Sequence, residues 1–340
     1  MPALAVADCL SAEGARVAFI GGERAERTLV PEAGYPLCTL RVRPLPRRAP
    51  VAALRAAAVD AAAVAGARRL LGRLRVGAVL GAGGYVAGPV GLAAVLRGIP
   101  LVLCEADSHL GLANRMLAPL ASRVFLAFPL PGRDGPRYRV VGRPVPPPAR
   151  DRQRARRRFG IAPGELCVLV FGGSQGARSI NRAAIEAFAG AGFRVLHAAG
   201  ERDLPELRSP GPHYDLRGYI SNFGEALLAA DLVVARAGGS IFEIAAHGRP
   251  AVLIPYPHAT ADHQAANARF MERAGAALVI PDAELTPARL AQEVGRLLAD
   301  PARLAAMARA SAALARPDAA RQIARELLTL ARGAETGARR

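Results

Sequence analysis

Three apolar segments of this sequence each lead into a glycine-rich turn and then into a helical pattern. The segments end at Leu80, Phe171 and Ala235, and the turns that follow span residues 81–85, 172–177 and 237–240. A buried strand joined to a helix by a short turn is the repeating unit of a parallel sheet with crossover helices. Such a turn also directs backbone N–H groups and the positive end of the helix dipole toward one point, which suits a phosphate. The pattern therefore predicts an α/β protein with anion-binding turns at the carboxyl ends of its strands.

Strands and helices alternate in two series along the chain, which at 340 residues is long enough for two domains. Between the series, residues 142–158 are rich first in proline and then in arginine, and we predict a linker there. The predicted domains are 1–146 and 147–316, and the last helix, 317–332, returns to the first domain. Because each half has glycine turns at strand ends, the ligand is expected in the cleft between two Rossmann-like sheets.

Hydrophobic periodicity predicts the individual elements. The predicted strands of the first half are 15–20, 37–42, 76–80, 101–104, one near Val124, and 139–141. Those of the second half are 166–171, 193–197, 232–235 and 251–254. The predicted helices include 3–10, 51–74, 288–298, 301–314 and 317–331.

The charge of the chain excludes some chemistry and leaves its partners open. The formal net charge is +17, and all 45 basic residues are arginine. Without lysine, neither a Schiff-base lysine nor a P-loop is possible. Anionic lipid, nucleic acid and phosphorylated substrates all fit an arginine excess. A nucleic-acid-binding protein is disfavoured, because aromatic residues are only 5%, no known nucleic-acid-binding signature is present and the arginines are spread over both halves. We therefore expect no nucleic-acid partner.

The glycine turns do not match the common nucleotide fingerprints. G-x-G-x-x-G fails at the first turn, where Val86 takes the third glycine position, and the spacing is wrong at the second. The sequence also has no D-x-D, the usual metal clamp of a nucleotide-sugar diphosphate. We therefore predict a site without a metal or cofactor, built from helix N-termini and hydrogen-bond donors.

The cysteines indicate a reducing compartment, and the apolar runs indicate that the chain does not span a membrane. Cys9, Cys38, Cys104 and Cys167 are widely scattered and are predicted to be buried thiols. No secretory signal or membrane-length apolar run is present, which predicts a cytosolic or peripheral protein.

The run 68–75 would suit contact with an anionic membrane if Leu70, Leu71 and Leu74 inserted between its arginines. Alternatively, it is an amphipathic crossover helix with a solvated basic face.

The stretch 230–267 carries the polar groups expected of a sugar-nucleotide site. Glu243, about one turn into the helix after the third glycine turn, suits the two hydroxyls of a ribose. Asp262, His263, Gln264 and Asn267 offer the donors and acceptors that recognise sugar hydroxyls. The alternative is an ordinary βαβ crossover whose glycines serve only chain geometry. The isolated histidines are predicted to be structural or solvated; they are His109, His197, His213, His247 and His258.

Taken together and in this order, the motifs resemble the MurG family of GT-B glycosyltransferases over nearly the whole chain. They are G-A-G-G-Y-V-A-G-P at 81–89, G-G-S-Q-G-A at 172–177, Glu243 with its glycine turn, and His263-Gln264 followed by Asn267. The resemblance implies a GT-B fold and the inverting transfer of N-acetylglucosamine from UDP-N-acetylglucosamine to the 4-hydroxyl of lipid I, forming lipid II for peptidoglycan. It also implies a peripheral enzyme at the cytoplasmic face of the bacterial plasma membrane. Another GT-B transferase that glycosylates a lipid, or a UDP-sugar 2-epimerase, remains the alternative.

The resemblance also implies roles for individual residues. The diphosphate would contact Ser174 and Gln175 and the turn formed by Ala237, Gly238, Gly239 and Ser240. Ile220 would offer its backbone to uracil, with Tyr219 nearby, and Glu243 would bind the ribose. His263, Gln264 and Asn114 would hold the sugar hydroxyls. On the acceptor side, the lipid diphosphate would meet Gly83, Gly84 and Tyr85, and Arg143 is the candidate to replace the phosphate-facing arginine that the family has at position 146.

The sequence departs from the family pattern at several points. The usual E-Q-N reads Glu105-Ala106-Asp107, and Pro146 stands where the family has an arginine that faces phosphate. The family begins with a strand and a G-G-T-G-G-H loop, whose histidine is often proposed as the base, and neither is present here. We therefore expect this 340-residue form to bind UDP but to transfer sugar poorly. Otherwise, Asp107 or His109 is the first candidate for a base within this chain.

Overall fold

The computed structural model of the protein describes residues 2–23, 26–42, 50–173, 176–259 and 262–337. These residues form two compact units. The first comprises Met1–Pro146 together with Asp318–Arg340, and the second comprises Pro147–Pro317.

The first unit contains two parallel sheets flanked by helices. Its strands are β1 (Phe19–Gly21), β2 (Leu37–Thr39), β3 (Val79–Gly81), β4 (Leu101–Glu105), β5 (Arg123–Leu126) and β6 (Tyr138–Val140). Its helices are α1 (Pro2–Ala12), α2 (Glu26–Glu32), α3 (Pro50–Leu74), α4 (Ala87–Val95), α5 (Leu112–Leu117) and the last helix of the chain, α13 (Ala319–Gly337). β1 pairs with β2, and β3 to β6 pair in chain order.

Both faces of the four-stranded sheet are covered, which explains why β4 is apolar almost throughout. Leu101 and Leu103 point into a core shared with α3, α4 and α5, whereas Val102 and Cys104 point into a core shared with α1 and α13. Successive strand residues face opposite sides of a sheet, so helices on both faces require a continuous apolar run. The last helix therefore belongs to the first unit, because its apolar stripe covers one face of that sheet.

The second unit is a single six-stranded parallel sheet between helices. Its strands are β7 (Cys167–Phe171), β8 (Arg194–Ala198), β9 (Tyr214–Arg217), β10 (Leu232–Ala235), β11 (Ala251–Leu253) and β12 (Ala277–Val279). Its helices are α6 (Arg152–Arg158), α7 (Arg178–Ala187), α8 (Phe223–Ala229), α9 (Ile241–Ala246), α10 (His263–Arg273), α11 (Pro287–Leu298) and α12 (Pro301–Ala313). The strand order is β12-β11-β10-β7-β8-β9, with every pairing parallel.

The prediction of a linker over 142–158 is wrong for its second part. Arg152–Arg158 forms α6, which packs against α8. The helix starts at Asp151, whose carboxylate accepts a hydrogen bond from Arg154 N at 2.9 Å. Arg152 pairs with Asp231 at 2.6 Å, and Arg158 pairs with Glu225 at 3.0 Å. The arginine run is therefore a helix face matched to acidic partners.

Helix α3 is amphipathic, and of the two interpretations of residues 68–75 the one that has Leu71 enter a membrane is wrong. Leu71 is only 2% exposed and belongs to the core of the first unit. Leu70 packs against the same core, whereas Arg69 and Arg73 are exposed. The alternative interpretation, a crossover helix with a solvated basic face, describes α3.

The thiols differ in burial. Cys104 and Cys167 are buried as predicted, whereas Cys9 and Cys38 are half-buried. Burial raises the pKa of the Cys104 and Cys167 thiols to about 12, which keeps both protonated at neutral pH. Across the part of the chain that the structure describes, no helix combines the length and apolarity needed to cross a membrane.

Candidate functional site

The candidate site lies at the carboxyl edge of the second unit's sheet, where the strand order reverses. The chain runs outward from β7 through β8 and β9, and then returns to the other side of β7 with β10. In open parallel sheets, ligands bind outside the carboxyl ends of the strands that flank such a reversal. The glycine turns 172–177 and 237–240 follow β7 and β10, so the fold brings both turns to this point.

The turn after β7 is tightly packed. Gly176 has φ +74°, and a Cβ there would lie 2.2 Å from the carbonyl oxygen of Ala199. A Cβ on Gly172 would lie 2.4 Å from the backbone nitrogen of Ala177. No side chain fits at either position, so both glycines are required for α7 to start where it does. The predicted diphosphate contacts Ser174 and Gln175 lie outside the described residues.

A cavity of about 690 Å³ opens beside this turn. It is lined by the start of α7, by the residue after β10, by the loop after β11, by the start of α10 and by the 3₁₀ turn Asp282–Glu284 after β12. The lining residues that matter here are Gly176, Arg178, Arg202, Arg236, Tyr256, Gln264 and Asp282. The N-terminus of α7 and the guanidinium groups of Arg178 and Arg202 make this cavity suited to an anionic ligand, whereas the charge of Arg236 is paired with Asp282.

Arg236, the last residue before the turn 237–240, organises one wall of the cavity. Its Nη1 donates to Asp282 Oδ1 at 2.6 Å, and its Nη2 donates to Ser179 Oγ at 2.8 Å. Ser179 Oγ in turn donates to the same Asp282 oxygen at 2.8 Å. Nη1 also reaches the carbonyl oxygens of Ile254 and Pro255 at 3.2 and 3.3 Å.

A side chain of α10 holds the turn after β10. Asn267 is buried and donates its side-chain amide to the carbonyl oxygen of Ala237 at 2.9 Å. Gly238, Gly239 and Ser240 remain half-buried, so their backbone can be reached by a ligand. Glu243 follows in the first turn of α9 and is half-buried. The turn predicted to bind phosphate and the glutamate predicted to bind ribose therefore lie within one strand–turn–helix unit.

Gln264 is oriented by the backbone of the loop after β11. Its Oε1 accepts a hydrogen bond from Tyr256 N at 3.0 Å. Its Nε2 lies 4.0 Å from the position that a Cβ on Gly238 would occupy. The structure thus brings Gln264 next to the turn 237–240, and His263 precedes it as the first residue of α10.

The loop after β9 lies beside the loop after β8. Gly200 N donates to the carbonyl oxygen of Gly218 at 3.0 Å, and the carboxylate of Glu201 lies against Gly218. Ile220 is buried and Tyr219 is 64% exposed. Both predicted uracil contacts therefore stand at the carboxyl edge of the same sheet as the glycine turns.

A buried polar network supports the turn after β7. Tyr214 Oη donates to His197 Nδ1 at 2.7 Å, and His197 Nε2 donates to Asn181 Oδ1 at 3.0 Å. The direction follows because the Asn181 amide nitrogen already donates to the Ala199 carbonyl and to Asp203. Burial lowers the pKa of His197 to about 4, so the imidazole is neutral. His197 is thus structural, as predicted.

Asp203 connects this network to the rim of the cavity. Its carboxylate accepts hydrogen bonds from Arg202 Nε at 2.9 Å and Arg178 Nε at 3.4 Å. The hydrogen bond from Arg202 and the neighbouring positive charges hold the pKa of Asp203 below its ordinary value. Two guanidinium groups thus share one carboxylate, which leaves net positive charge at the rim.

The predicted acceptor residues lie in the first unit. Gly83 and Gly84 have φ of +86° and +80° and form the turn between β3 and α4. A Cβ on Gly22 would lie 2.1 Å from the Tyr85 hydroxyl, so that ring packs against the end of β1. Arg143 Nη1 lies 3.5 Å from the carbonyl oxygen of Ala106.

Glu105 organises the loop that contains Asp107 and His109. The buried carboxylate accepts hydrogen bonds from Asp107 N at 3.2 Å, Gly111 N at 2.9 Å and Asn114 Nδ2 at 2.9 Å. Glu105 therefore holds the loop and the start of α5. Asn114 lies in this buried cluster of the first unit, whereas Gln264 and His263 lie in the second unit.

Sequence reasoning missed the residues that support the site. They are Ser179, Asn181, Arg202, Asp203, Arg236 and Asp282. Arg236 offered a signal, because a charged residue directly after a fully apolar strand is unusual unless it is paired. Its partners could not be read from spacing, since they follow other strands. Within the described residues, no group of three histidine, cysteine, aspartate or glutamate side chains is placed to hold a metal ion.

Two Rossmann-like units with parallel sheets and glycine turns at the carboxyl edge define the GT-B class of glycosyltransferases. Family models agree with this class. The model described as the glycosyltransferase family 28 N-terminal domain matches residues 1–126, and the family 28 C-terminal domain model matches residues 167–323.

Named relatives narrow the class to one family. A Rubrobacter xylanophilus protein named UDP-N-acetylglucosamine–N-acetylmuramyl-(pentapeptide) pyrophosphoryl-undecaprenol N-acetylglucosamine transferase is 41% identical, over 96% of this chain and 99% of that relative. A Moorella thermoacetica protein of the same name is 41% identical, over 96% of this chain and 94% of the relative. The crystal structure of Acinetobacter baumannii MurG is 29% identical with a TM-score of 0.76, covering 96% of this chain and 95% of that one. The chain belongs to the MurG family.

Proposed function

We propose that this protein transfers N-acetylglucosamine from UDP-N-acetylglucosamine to the 4-hydroxyl of lipid I, with inversion at the anomeric carbon, and so forms lipid II. The observation that carries this function is the identity of about 40% to relatives with this transferase name over almost the whole chain. Those relatives favour this activity over another glycolipid transferase or an epimerase. The cavity at the reversal point of the second sheet supports it independently.

The donor would bind to the second unit. The start of α7 and the turn 237–240 would offer backbone N–H groups to the diphosphate, and Arg178 and Arg202 would add positive charge at the rim. These groups stabilise the negative charge that develops on UDP as it leaves. Glu243 accepts hydrogen bonds from the ribose diol, and Gln264 donates to a sugar hydroxyl. The diphosphate contacts of Ser174 and Gln175 remain part of this proposal.

The acceptor would bind to the first unit through the backbone of the turn that contains Gly83 and Gly84. In a single displacement, the 4-hydroxyl of the acceptor forms a bond to the anomeric carbon while the bond to UDP breaks. The hydroxyl proton must pass to a base, and Asp107 and His109 are the candidates that this chain offers. Glu105 holds their loop in one conformation, which is the kind of positioning that lowers a barrier.

An anionic membrane is the proposed partner of the first unit, at the cytoplasmic face of the plasma membrane. Leucine and methionine side chains at i, i+4 spacing are exposed on two helices that pack together; they are Leu92, Leu96, Leu112, Met116 and, just beyond, Leu120. We call them the α4–α5 surface. Met116 is 67% exposed, and Arg97 and Arg115 lie among these residues and are exposed. Apolar side chains mixed with arginines suit the interface of an anionic bilayer.

Calorimetry and a transfer assay test the function. The wild-type chain should bind UDP and UDP-N-acetylglucosamine, bind UDP-glucose more weakly, and release UDP only when lipid I is present. Glu243→Ala should weaken UDP binding about tenfold or more, because a carboxylate hydrogen bond is lost. Glu272→Ala, an exposed carboxylate on α10, is the matched control and should bind UDP like the wild type. If no uridine nucleotide binds, or if Glu243→Ala binds UDP as tightly as the control, the donor site is elsewhere.

A further inference from the structure

We propose that Arg236 is a positioning residue for the donor sugar: it holds the loop after β11 so that Gln264 presents its amide nitrogen to a sugar hydroxyl. This inference rests on the proposed function and concerns the same pocket. Arg236 itself is not expected to touch the uridine or the reacting atoms.

Arg236 closes a ring of hydrogen bonds with Ser179 and Asp282. The guanidinium donates to both, and Ser179 donates to the same carboxylate oxygen, with the three distances between 2.6 and 2.8 Å. Arg236 is 8% exposed, so this ring is largely shielded from water. The three residues come from the end of β10, the first turn of α7 and the 3₁₀ turn after β12. A single planar group therefore sets the relative positions of these segments.

The loop after β11 is attached to the same guanidinium. Nη1 donates to the carbonyl oxygens of Ile254 and Pro255, and the guanidinium carbon lies 5.4 Å from the centre of the Tyr256 ring. Tyr256 N then donates to Gln264 Oε1. These contacts connect Arg236 to Gln264 through the backbone and ring of Tyr256.

The orientation of the Gln264 amide is the chemical consequence. Because Oε1 is occupied by Tyr256 N, the end of the amide that faces the turn 237–240 is the nitrogen. The site then offers a hydrogen-bond donor to the sugar at that position. If the loop moved, the amide could rotate and this selection would be lost.

Burying the charges of Arg236 and Asp282 costs hydration free energy, which indicates that the ring does more than stabilise the fold. Both members of the Arg236 and Asp282 ion pair are mostly buried, with side-chain exposures of 10% and 21%. A well-packed apolar pair often stabilises a protein as much as a buried ion pair does, because charges lose hydration. An apolar pair, however, cannot bind two carbonyl oxygens and contact a tyrosine ring face at the same time. All three members of the ring line the cavity, where such precision matters.

The ratio of the affinity for UDP-N-acetylglucosamine to the affinity for UDP distinguishes a positioning role of Arg236 from a purely stabilising one. The proposed uridine contacts, Ile220 and Glu243, lie in the loop after β9 and on α9, whereas the ring joins the end of β10, the start of α7 and the turn after β12. Losing Arg236 should therefore affect the sugar more than UDP. In Arg236→Met, we expect UDP affinity to stay within about threefold of the wild type and UDP-N-acetylglucosamine affinity to fall about tenfold further. A residue that only stabilises the fold would lower the melting temperature and leave the ratio unchanged.

Arg249→Met is the matched control. Arg249 is half-buried and, like Arg236, donates to two backbone carbonyls, those of Ala230 and His247, but it precedes β11 at the opposite edge of the sheet. Its replacement should lower stability without changing the affinity ratio. The double variant Arg236→Met with Gln264→Met should show the ratio of Gln264→Met alone, because Arg236 acts through Gln264.

Each result tests either the proposed function or the positioning role of Arg236. If the wild type does not bind UDP-N-acetylglucosamine, the proposed function fails. If it binds and Arg236→Met keeps the wild-type ratio, or if the two single effects add fully in the double variant, the positioning role is wrong. Should Arg236→Met fail to fold, Ser179→Ala and Asp282→Asn each remove one side of the ring. A ratio changed by about threefold in these variants supports the proposal, and an unchanged ratio in both overturns it.

Discussion

Buried polar side chains decide the local geometry of both units. Glu105 holds the loop after β4 with three hydrogen bonds, and Asn267 holds the turn after β10. Asn181 joins His197 to Asp203 beneath the turn after β7. An unsatisfied buried polar group costs free energy, so each of these side chains specifies the position of its partners.

His197 should make the stability of the protein depend on pH. Its pKa is about 4 in the folded state and about 6.5 when unfolded, so the unfolded state binds more protons between these values. The stabilisation is complete above pH 6.5 and is lost as the pH falls toward 4, by up to about 3 kcal/mol. Urea unfolding at pH 7.5 and pH 4.5 measures the effect. His197→Gln should show a smaller loss between these pH values, and an equal loss would contradict the assignment.

At the scale of elements, glycine turns and helix starts act together. The turn after β7 brings the start of α7 close to Ala199 and places Asn181 and Ser179 on its first turns. The strand directs the chain toward the carboxyl edge of the sheet, the glycines allow α7 to start close to Ala199, and the helix supplies the free N–H groups.

Gly176→Ala should disrupt this unit. A methyl group would clash with the Ala199 carbonyl, and the positive φ would be strained, so we expect a loss of at least about 1 to 2 kcal/mol and weaker UDP binding. Gly190→Ala is the matched control, because no atom lies within 4 Å of its Cβ position. Urea unfolding and calorimetry measure both effects. Wild-type behaviour of Gly176→Ala would show that the turn adjusts freely.

The α4–α5 surface should attach the protein to anionic vesicles. The wild type should float with vesicles that contain phosphatidylglycerol, and Met116→Glu with Leu120→Glu should abolish most of the flotation, because apolar area is lost and negative charge is added. Leu166→Glu is the control, since Leu166 is an exposed leucine of the second unit. Arg69→Glu with Arg73→Glu tests the basic face of α3 separately. Undiminished flotation of the Met116 and Leu120 variant would exclude this surface.

At the scale of the whole molecule, the last helix belongs to the unit formed by the start of the chain. Ile323 and Leu327 of α13 pack with Val6 of α1 and Phe125 of β5. The second unit is therefore an insertion between two parts of the first, and chain order alone does not describe the domains.

Ile323→Ala should destabilise the first unit and leave nucleotide binding intact. Ile323 is fully buried, and removing its side chain should cost about 2 to 4 kcal/mol. Arg325→Ala, on the exposed side of the same helix, should change stability little. Thermal unfolding measures the stability, and calorimetry at 20 °C measures UDP binding. A tenfold loss of UDP affinity in Ile323→Ala would contradict a donor site contained in the second unit.

The sequence by itself determined the strands that bury both faces, the glycine turns and the family. β10 coincides with the predicted strand 232–235, and β7 and β4 differ from prediction by one residue at one end. These features are local, because burial on both faces requires continuous apolar runs and tight turns require glycine. The polar edge strand β9 and the short α2, α8 and β12 were not predicted, since their patterns are brief or mixed.

Only the tertiary structure determined which side chains meet at the site. Arg236 bonds to Asp282 and Ser179, which are 46 and 57 residues away in sequence. The strand order β12-β11-β10-β7 makes them neighbours, because it sets the ends of these strands side by side. The same reason explains the arginines of α6, because their acidic partners Asp231 and Glu225 lie 79 and 67 residues further along the chain. Local sequence specifies an element, but partners across a sheet depend on the order in which the strands assemble.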